Sequence, residues 1–335
     1  MTDLHRRRAL ALGAAALAAP AFARAQTPPK VRMAIQFGMA YLPAMIADSE
    51  GLFVRHAAAQ GLRGAAFEVT KVGSSTAIND ALFSGSVEMG VYGSTALLIA
   101  WDKTRGSQQV KGVCGLSLTP YSLLANADRI KSLKDFGPQD RIAVTSTIAP
   151  QATLLRMAAE KELGAGKHDA LDTMMLSMPH PDALNALLNA AGVTAYFSTP
   201  PYTAEALRNP KIHRLVTSAE ILGGKCTGAT LGAQARFADA NPKLVQATVD
   251  ALGEAMAFIA ADRRKAAEIY LKLEPQRLSV DEAAEILADP ERGYDLAPQG
   301  LKAFADFMRR TGQLRNPLAR WQDAFFPAVH GRAGT

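Results

Sequence analysis

Small hydroxylated residues gather at four places in the chain: Gly73-Ser74-Ser75-Thr76, Gly93-Ser94-Thr95, Thr145-Ser146-Thr147 and Ser198-Thr199-Pro200. The first three each follow a short apolar run and precede a helical pattern. A glycine or hydroxyl at such a junction leaves backbone N–H groups at the positive end of a helix dipole, where anions bind readily. Taken singly, each turn is also an ordinary helix N-cap. Their recurrence is what points to a shared role, an uncharged cage of donors around a small anion. The loop Phe37-Gly38-Met39-Ala40-Tyr41 and Gln151 flank these turns in sequence. Tyr41, with Tyr92, Phe197 and Tyr202, could line a pocket for an organic tail.

Other chemistry is thin. The six histidines fall in unrelated segments, and none has metal-ligand spacing with a carboxylate or cysteine. His180, between Pro179 and Pro181, reads as a loop histidine without function. Gly-x-Ser-x-Gly and phosphate-loop patterns are both absent. No catalytic residue, metal site or cofactor is assigned. Cys114 and Cys226 lie far apart; they could pair in an oxidising compartment, and the simpler reading is two small buried residues.

The elements that must carry the turns repeat. Val31–Gln36 leads to a helix from Leu42, Phe67–Val72 to Ala77–Phe83, Val87–Tyr92 to Ala96–Trp101, and Arg141–Thr145 to Ala152–Leu163. Strand, polar turn and helix in succession predict an α/β protein with largely parallel sheets. The order Ala81-Leu82-Phe83, Val87, Gly93-Ser94-Thr95 returns as Ala186-Leu187-Leu188, Val193, Ser198-Thr199-Pro200, roughly 105 residues on, which predicts two similar lobes. Beyond Gly232 the pattern turns helical. Asn241-Pro242 reads as a cap and first turn ahead of Val245, Val249, Leu252, Met256 and Ile259. Ser279 with Glu282 forms a capping box, and Pro298 is expected to open a last helix that stops at Gly312.

Composition bounds the class. The chain has 335 residues, 48% hydrophobic and 20% charged, with a mean hydropathy of zero. That excludes a disordered chain and a polytopic membrane protein. Arg6-Arg7-Arg8, the apolar stretch Ala9–Ala19 and Ala23-Arg24-Ala25 read as an export signal over residues 1–25, of twin-arginine or Sec type. Those 25 residues hold four arginines and one aspartate, so +3 of the formal +6 belongs to them and the rest of the chain keeps +3. A nucleic-acid surface has no support in so small an excess.

Several segments together resemble the substrate-binding proteins of nitrate/sulfonate/taurine-type ABC importers. They are Leu42-Pro43-Ala44-Met45-Ile46-Ala47 before Glu50-Gly51-Leu52-Phe53, and Ala81-Leu82-Phe83-Ser84-Gly85-Ser86-Val87-Glu88-Met89-Gly90, with Glu88 where that family usually has aspartate. Ile130-Lys131-Ser132-Leu133-Lys134-Asp135-Phe136, Pro298-Gln299-Gly300-Leu301 and Trp321 complete the set. The resemblance implies a two-lobed type II periplasmic binding protein with a helical C-terminal tail. Lobe one would hold 30–118 and 226–335, lobe two 119–225, with crossings near Ser117–Tyr121 and Thr217–Thr227. It also implies a periplasmic monomer that binds a small anionic or polar solute and delivers it to an inner-membrane permease. By position, the ligand contacts it implies are Phe37, Gly38, Met39, Tyr41, Ser74, Ser75, Thr76, Gly93, Ser94, Thr95, Thr145, Ser146, Thr147, Gln151, Ser198, Thr199 and Pro200. Two alternatives stay open: an enzyme of the same fold acting on a pyrimidine-like precursor, and the ligand-binding component of a membrane sensor.

Overall fold

The computed structural model describes residues 29–335; the export segment read at residues 1–25 lies outside them. Two five-stranded sheets organise the chain. The first comprises β1 (Lys30–Ile35), β2 (Ala66–Lys71), β3 (Met89–Gly93), β4 (Val110–Leu118) and β10 (Thr227–Gln234), in the order β2-β1-β3-β10-β4. The second comprises β5 (Ser122–Ala125), β6 (Ile142–Val144), β7 (Met175–Ser177), β8 (Ala195–Ser198) and β9 (His213–Thr217), in the order β7-β6-β8-β5-β9. In the first sheet β1 pairs parallel with β2 and β3, while β10 runs antiparallel between β3 and β4. The second repeats this: β6 is parallel to β7 and β8, and β5 is the antiparallel insertion between β8 and β9. The inserted strand in each sheet is the one that follows a passage between sheets, Leu118 to Ser122 and Thr217 to Thr227. The fold is therefore two-lobed and α/β, with one sheet per lobe.

Burial on both faces explains the apolar runs in the central strands. Val31, Met33, Ile35, Met89 and Val91 are fully enclosed, as expected for parallel strands covered by helices on both sides. Helix Leu42–Ser49 starts at the residue the pattern indicated, with Pro43 in its first turn, where a missing N–H costs nothing. Helix Ser75–Ser84 is capped by Ser74, whose Oγ accepts from the Ala77 N–H at 3.2 Å.

The C-terminal third packs as helices Pro242–Ala261, Arg263–Leu273, Val280–Ala288 and Leu301–Arg310. Pro242–Ala261 is long and apolar enough to span a membrane by length and composition, yet Val245, Val249, Leu252 and Ile259 are buried within the protein. The capping box of Ser279 and Glu282 forms. Two expectations need correction. Asn241 precedes its helix without capping it, because its side-chain amide donates backward to the Phe237 carbonyl at 2.9 Å. The last helix begins at Leu301, not Pro298, since Gly300 adopts a left-handed conformation that starts the helix after it. The tail then returns to lobe one. The buried Asp102 carboxylate accepts from the backbone N–H groups of Arg315 and Asn316, both at 2.9 Å. Burial alone would raise its pKa, but these bonds hold it below the usual carboxylate range. Cys114 and Cys226 are free and buried, and burial pushes both thiols up to about 12.

Candidate functional site

The strand ends and helix starts of both lobes enclose one small cavity. From lobe one its wall takes Gln36 at the end of β1, Ala40 and Tyr41 in the short 3-10 turn Met39–Tyr41, Ser75 at the head of its helix, and Gly93 at the end of β3. Gly228 and Ala229 of β10 join them, with Thr119 and Tyr121 from the first passage between sheets. Lobe two adds Thr145 after β6, Pro150 and Gln151 from helix Pro150–Leu163, His180 from helix His180–Leu188, and Thr199 after β8. The space between its atoms is about 300 Å³. The lobes are drawn close enough for the Thr95 hydroxyl of lobe one to bond the Ile148 carbonyl of lobe two. The C-terminal ends of parallel strands are where open α/β sheets place ligand crevices.

Among the described residues no charged side chain lines this cavity. Four helices put a first-turn or N-cap residue in its wall: Ser75–Ser84 and Ser94–Thr104 from lobe one, Pro150–Leu163 and His180–Leu188 from lobe two. At the last three, the capping residues Gly93, Ala149 and Pro179 supply no side-chain cap. Each such terminus carries roughly half a positive charge. The enclosure is therefore electropositive without a cation.

Within the wall the polar groups brace one another. Ser75 Oγ accepts from the Gly93 N–H at 3.2 Å and from Gln36 Nε2 at 3.2 Å. Thr145 Oγ1 donates to Gln151 Oε1 at 3.3 Å. His180 is buried, and burial lowers its pKa to about 3, so the imidazole is neutral. Its Nδ1 is paired with the Tyr196 hydroxyl, while Nε2 lies 3.4 Å from both Gln151 Nε2 and Thr199 Oγ1. Its ring stacks on Tyr202, with centroids 5.2 Å apart. Gly228 leaves the space that Thr119 and Tyr121 occupy: a Cβ there would lie 2.6 Å from the Tyr121 hydroxyl.

Of the residues singled out in the sequence, the cavity brings together Tyr41, Ser75, Gly93, Thr145, Gln151 and Thr199. The others stand elsewhere. Ser74 is a helix cap, and Thr76 and Thr147 are exposed. Ser94 Oγ donates its proton to the Thr227 carbonyl at 2.7 Å, tying β3 to β10. Thr95 Oγ1 donates to the Ile148 carbonyl at 2.7 Å, a bond from lobe one to lobe two. Ser198 Oγ accepts from Thr203 Oγ1 at 3.0 Å. Ser146 Oγ is buried without a protein partner. Met39 is buried in the core, Phe37 faces an outer groove, and Pro200 lies outside the cavity wall. The Gly38 N–H donates to Glu274 Oε1 at 2.7 Å. Tyr92 is fully buried beneath the site and Phe197 packs edge-on to Tyr121.

His180, expected in a loop without function, is the first residue of a helix and part of the cavity wall. Its flanking prolines were the available signal, since proline is favoured in a first helical turn. Gln36, Thr119 and Tyr121 carried no local signal. Among the described residues no group of three or more His, Cys, Asp or Glu side chains is placed to hold a metal ion.

Solved structures similar to this fold share little sequence with it. The alkanesulfonate-binding protein SsuA from Xanthomonas axonopodis pv. citri, bound to MOPS, superposes with a TM-score of 0.70 at 16% identity, covering 90% of this chain and 99% of its own. The periplasmic nitrate-binding protein NrtA from Synechocystis PCC 6803 gives 0.68 at 16% identity, covering 88% and 84%. The periplasmic aliphatic sulphonate binding protein SsuA from Escherichia coli gives 0.63 at 18%, covering 89% and 99%. No curated protein matches the sequence. The family model of the NMT1-like family matches residues 24–272, most of the chain, and the protein belongs to that family.

Proposed function

We propose that this chain is the solute-binding component of an ABC-type importer. It captures a small anionic organic solute, of sulfonate or carboxylate type, in the interlobe cavity and hands it to an inner-membrane permease. The observation that carries this reading is the meeting of four helix N-termini from two lobes around a cavity with no charged side chain. Such termini favour negative charge, and hydrogen bonds to a charged acceptor are worth about 1.5–3 kcal/mol each. The fold shared with sulfonate- and nitrate-binding proteins supports the same reading. So does the export signal read at residues 1–25, which would deliver a monomer to the periplasm.

The chain is read as a binder rather than an enzyme. His180, the one imidazole in the wall, is oriented through Nδ1 by a tyrosine hydroxyl and not by a carboxylate. An acid/base mechanism built on a carboxylate-oriented histidine has no counterpart there.

Thermal unfolding in the presence of sulfonates, carboxylates, nitrate, pyrimidines and cationic amines tests the proposal. A solute at a hundred times its Kd adds about 2.7 kcal/mol of stability. For a chain of this size that is a rise of roughly 4 °C in Tm. The expected result is a rise with at least one anion class and none with amines. Stabilisation by amines or pyrimidines alone would overturn it.

A further inference from the structure

Three glycines of lobe one sit directly against rings of lobe two. A Cβ on Gly73, after β2, would lie 2.8 Å from Cγ of Pro179, closer than real side chains approach. On Gly93, at the end of β3, it would run into Cδ of Pro150. On Gly38, after β1, it would lie 3.2 Å from the Tyr202 ring. Each ring stands at the start of a lobe-two helix, so the ends of β1, β2 and β3 each receive one. Proline rings are rigid and cannot yield as a long side chain would.

One of the three contacts is also bonded. Glu274, at the C-terminal end of helix Arg263–Leu273, is buried and reaches from lobe one toward Tyr202. Its Oε1 accepts from the Tyr202 hydroxyl at 2.7 Å, the Gly38 N–H at 2.7 Å and the Tyr270 hydroxyl at 3.0 Å, while Oε2 pairs with Lys71 Nζ at 2.7 Å. Tyr202 is the only one of these partners that belongs to lobe two.

We propose that Gly38, Gly73 and Gly93 are positioning residues that set how far the lobes close, and that Glu274 latches the closed form through Tyr202. A side chain at Gly93, or at Gly73 while Pro179 keeps its ring, acts as a wedge; loss of the latch shortens the life of the closed form. Neither Gly73 nor Glu274 lines the cavity. The proposal rests on the binding reading only in that the cavity must open to load, and its test uses no solute.

The same geometry supplies a reporter. A Cβ on Gly73 would stand 3.7 Å from Cβ of Pro179, within the roughly 3.5–4.5 Å that a disulfide spans. The double variant Gly73→Cys/Pro179→Cys should therefore bridge under mild oxidant whenever the lobes close, and the native Cys114 and Cys226 are buried away from it. Bridging is followed by mass spectrometry of peptides, with a cooperative thermal transition required of every variant. The expected result is rapid bridging, slowed about tenfold or more by adding Gly93→Ala, and slowed less by adding Tyr202→Phe, which keeps the ring and loses the hydroxyl. Should Gly93→Ala fail to fold, Glu274→Gln takes its place, since it replaces the carboxylate that holds the Tyr202 hydroxyl. No bridging in the folded protein, or rates unchanged by every second substitution, would overturn the proposal. Anion binding measured separately decides the function, so the two can fail independently.

Discussion

The two lobes repeat one strand order, yet the surfaces they bring to the cleft are unlike. Lobe one offers mostly bare backbone and small groups, Gly38, Gly73, Gly93 and Ser75, with Gln36 and Tyr41 as its larger side chains. Lobe two offers rings and amides: Pro150, Pro179, His180, Tyr202 and Gln151. Lobe one also carries the C-terminal helices, with Glu274 at the end of Arg263–Leu273, whereas lobe two ends with the short helix Ser218–Leu222 after β9. A repeated architecture thus fixes where the site lies, at the strand ends of both halves. The departures from the repeat decide what fits there. Flat backbone against rigid rings gives a tight closed form, and helix termini on both sides give it charge preference without a cation.

This contrast can be broken most sharply at Gly93. Replacing it with alanine places a methyl group against the Pro150 ring, and overpacking of this kind costs about 1–3 kcal/mol. Affinity for the anion identified by screening should fall roughly ten- to a hundredfold in calorimetry, since each 1.4 kcal/mol is tenfold. Unchanged affinity would mean that the lobes do not close as described.

Ser75→Ala comes next. It leaves the buried Gly93 N–H and the Gln36 amide without their shared acceptor, which costs about 1–3 kcal/mol. Chemical denaturation should show this as a lowered midpoint with an unchanged slope. The Ser94 hydroxyl answers to β10 and not to the cavity. Ser94→Ala should accordingly cost about 0.5–1.5 kcal/mol of stability and leave the ranking of bound anions as it was.

The pH dependence tests the lobe-two side. An unfolded histidine titrates near 6.5, and His180 in the folded protein titrates at about 3. Between those values the unfolded chain binds the extra proton, so stability is fully present above about 6.5 and declines as pH falls toward 3. His180→Gln should flatten the stability profile across that window. A profile unchanged by the substitution would place the acid sensitivity elsewhere. Smallest of all is Thr147→Ala, an exposed position, where stability should stay within about 0.5 kcal/mol of the parent.

The strand, turn and helix repeat was legible because each unit is local. Leu42 could be placed as a helix start from the apolar run Val31–Gln36 and the loop Phe37–Tyr41 before it, and Ser279 with Glu282 formed the box their spacing indicated. The doubling of the sheet showed as a doubling of pattern. Asn241 misled because its amide had a second acceptor, the Phe237 carbonyl, that spacing cannot weigh against a cap. His180 was opaque for a different reason. Its burial depends on Tyr196 and Tyr202, and nothing nearby in the chain announces that those rings converge on it. Glu274 lies 236 residues from Gly38 and 72 from Tyr202, so no window of sequence contains its role. The hydroxyl turns showed the region of the site but not which hydroxyls face it. That depends on the direction of each first helical turn, as the divergent fates of Ser74, Ser75 and Thr76 show.

The central claim is that an uncharged cavity ringed by helix termini holds an anion. Its most direct measurement is paired calorimetry on the purified protein, titrating a sulfonate or carboxylate that stabilises it and then the neutral sulfonamide or amide of the same shape. The account predicts binding of one equivalent of the anion, and a neutral isostere at least tenfold weaker. Equal affinity for the two would contradict it, because the helix termini would then contribute nothing that depends on charge.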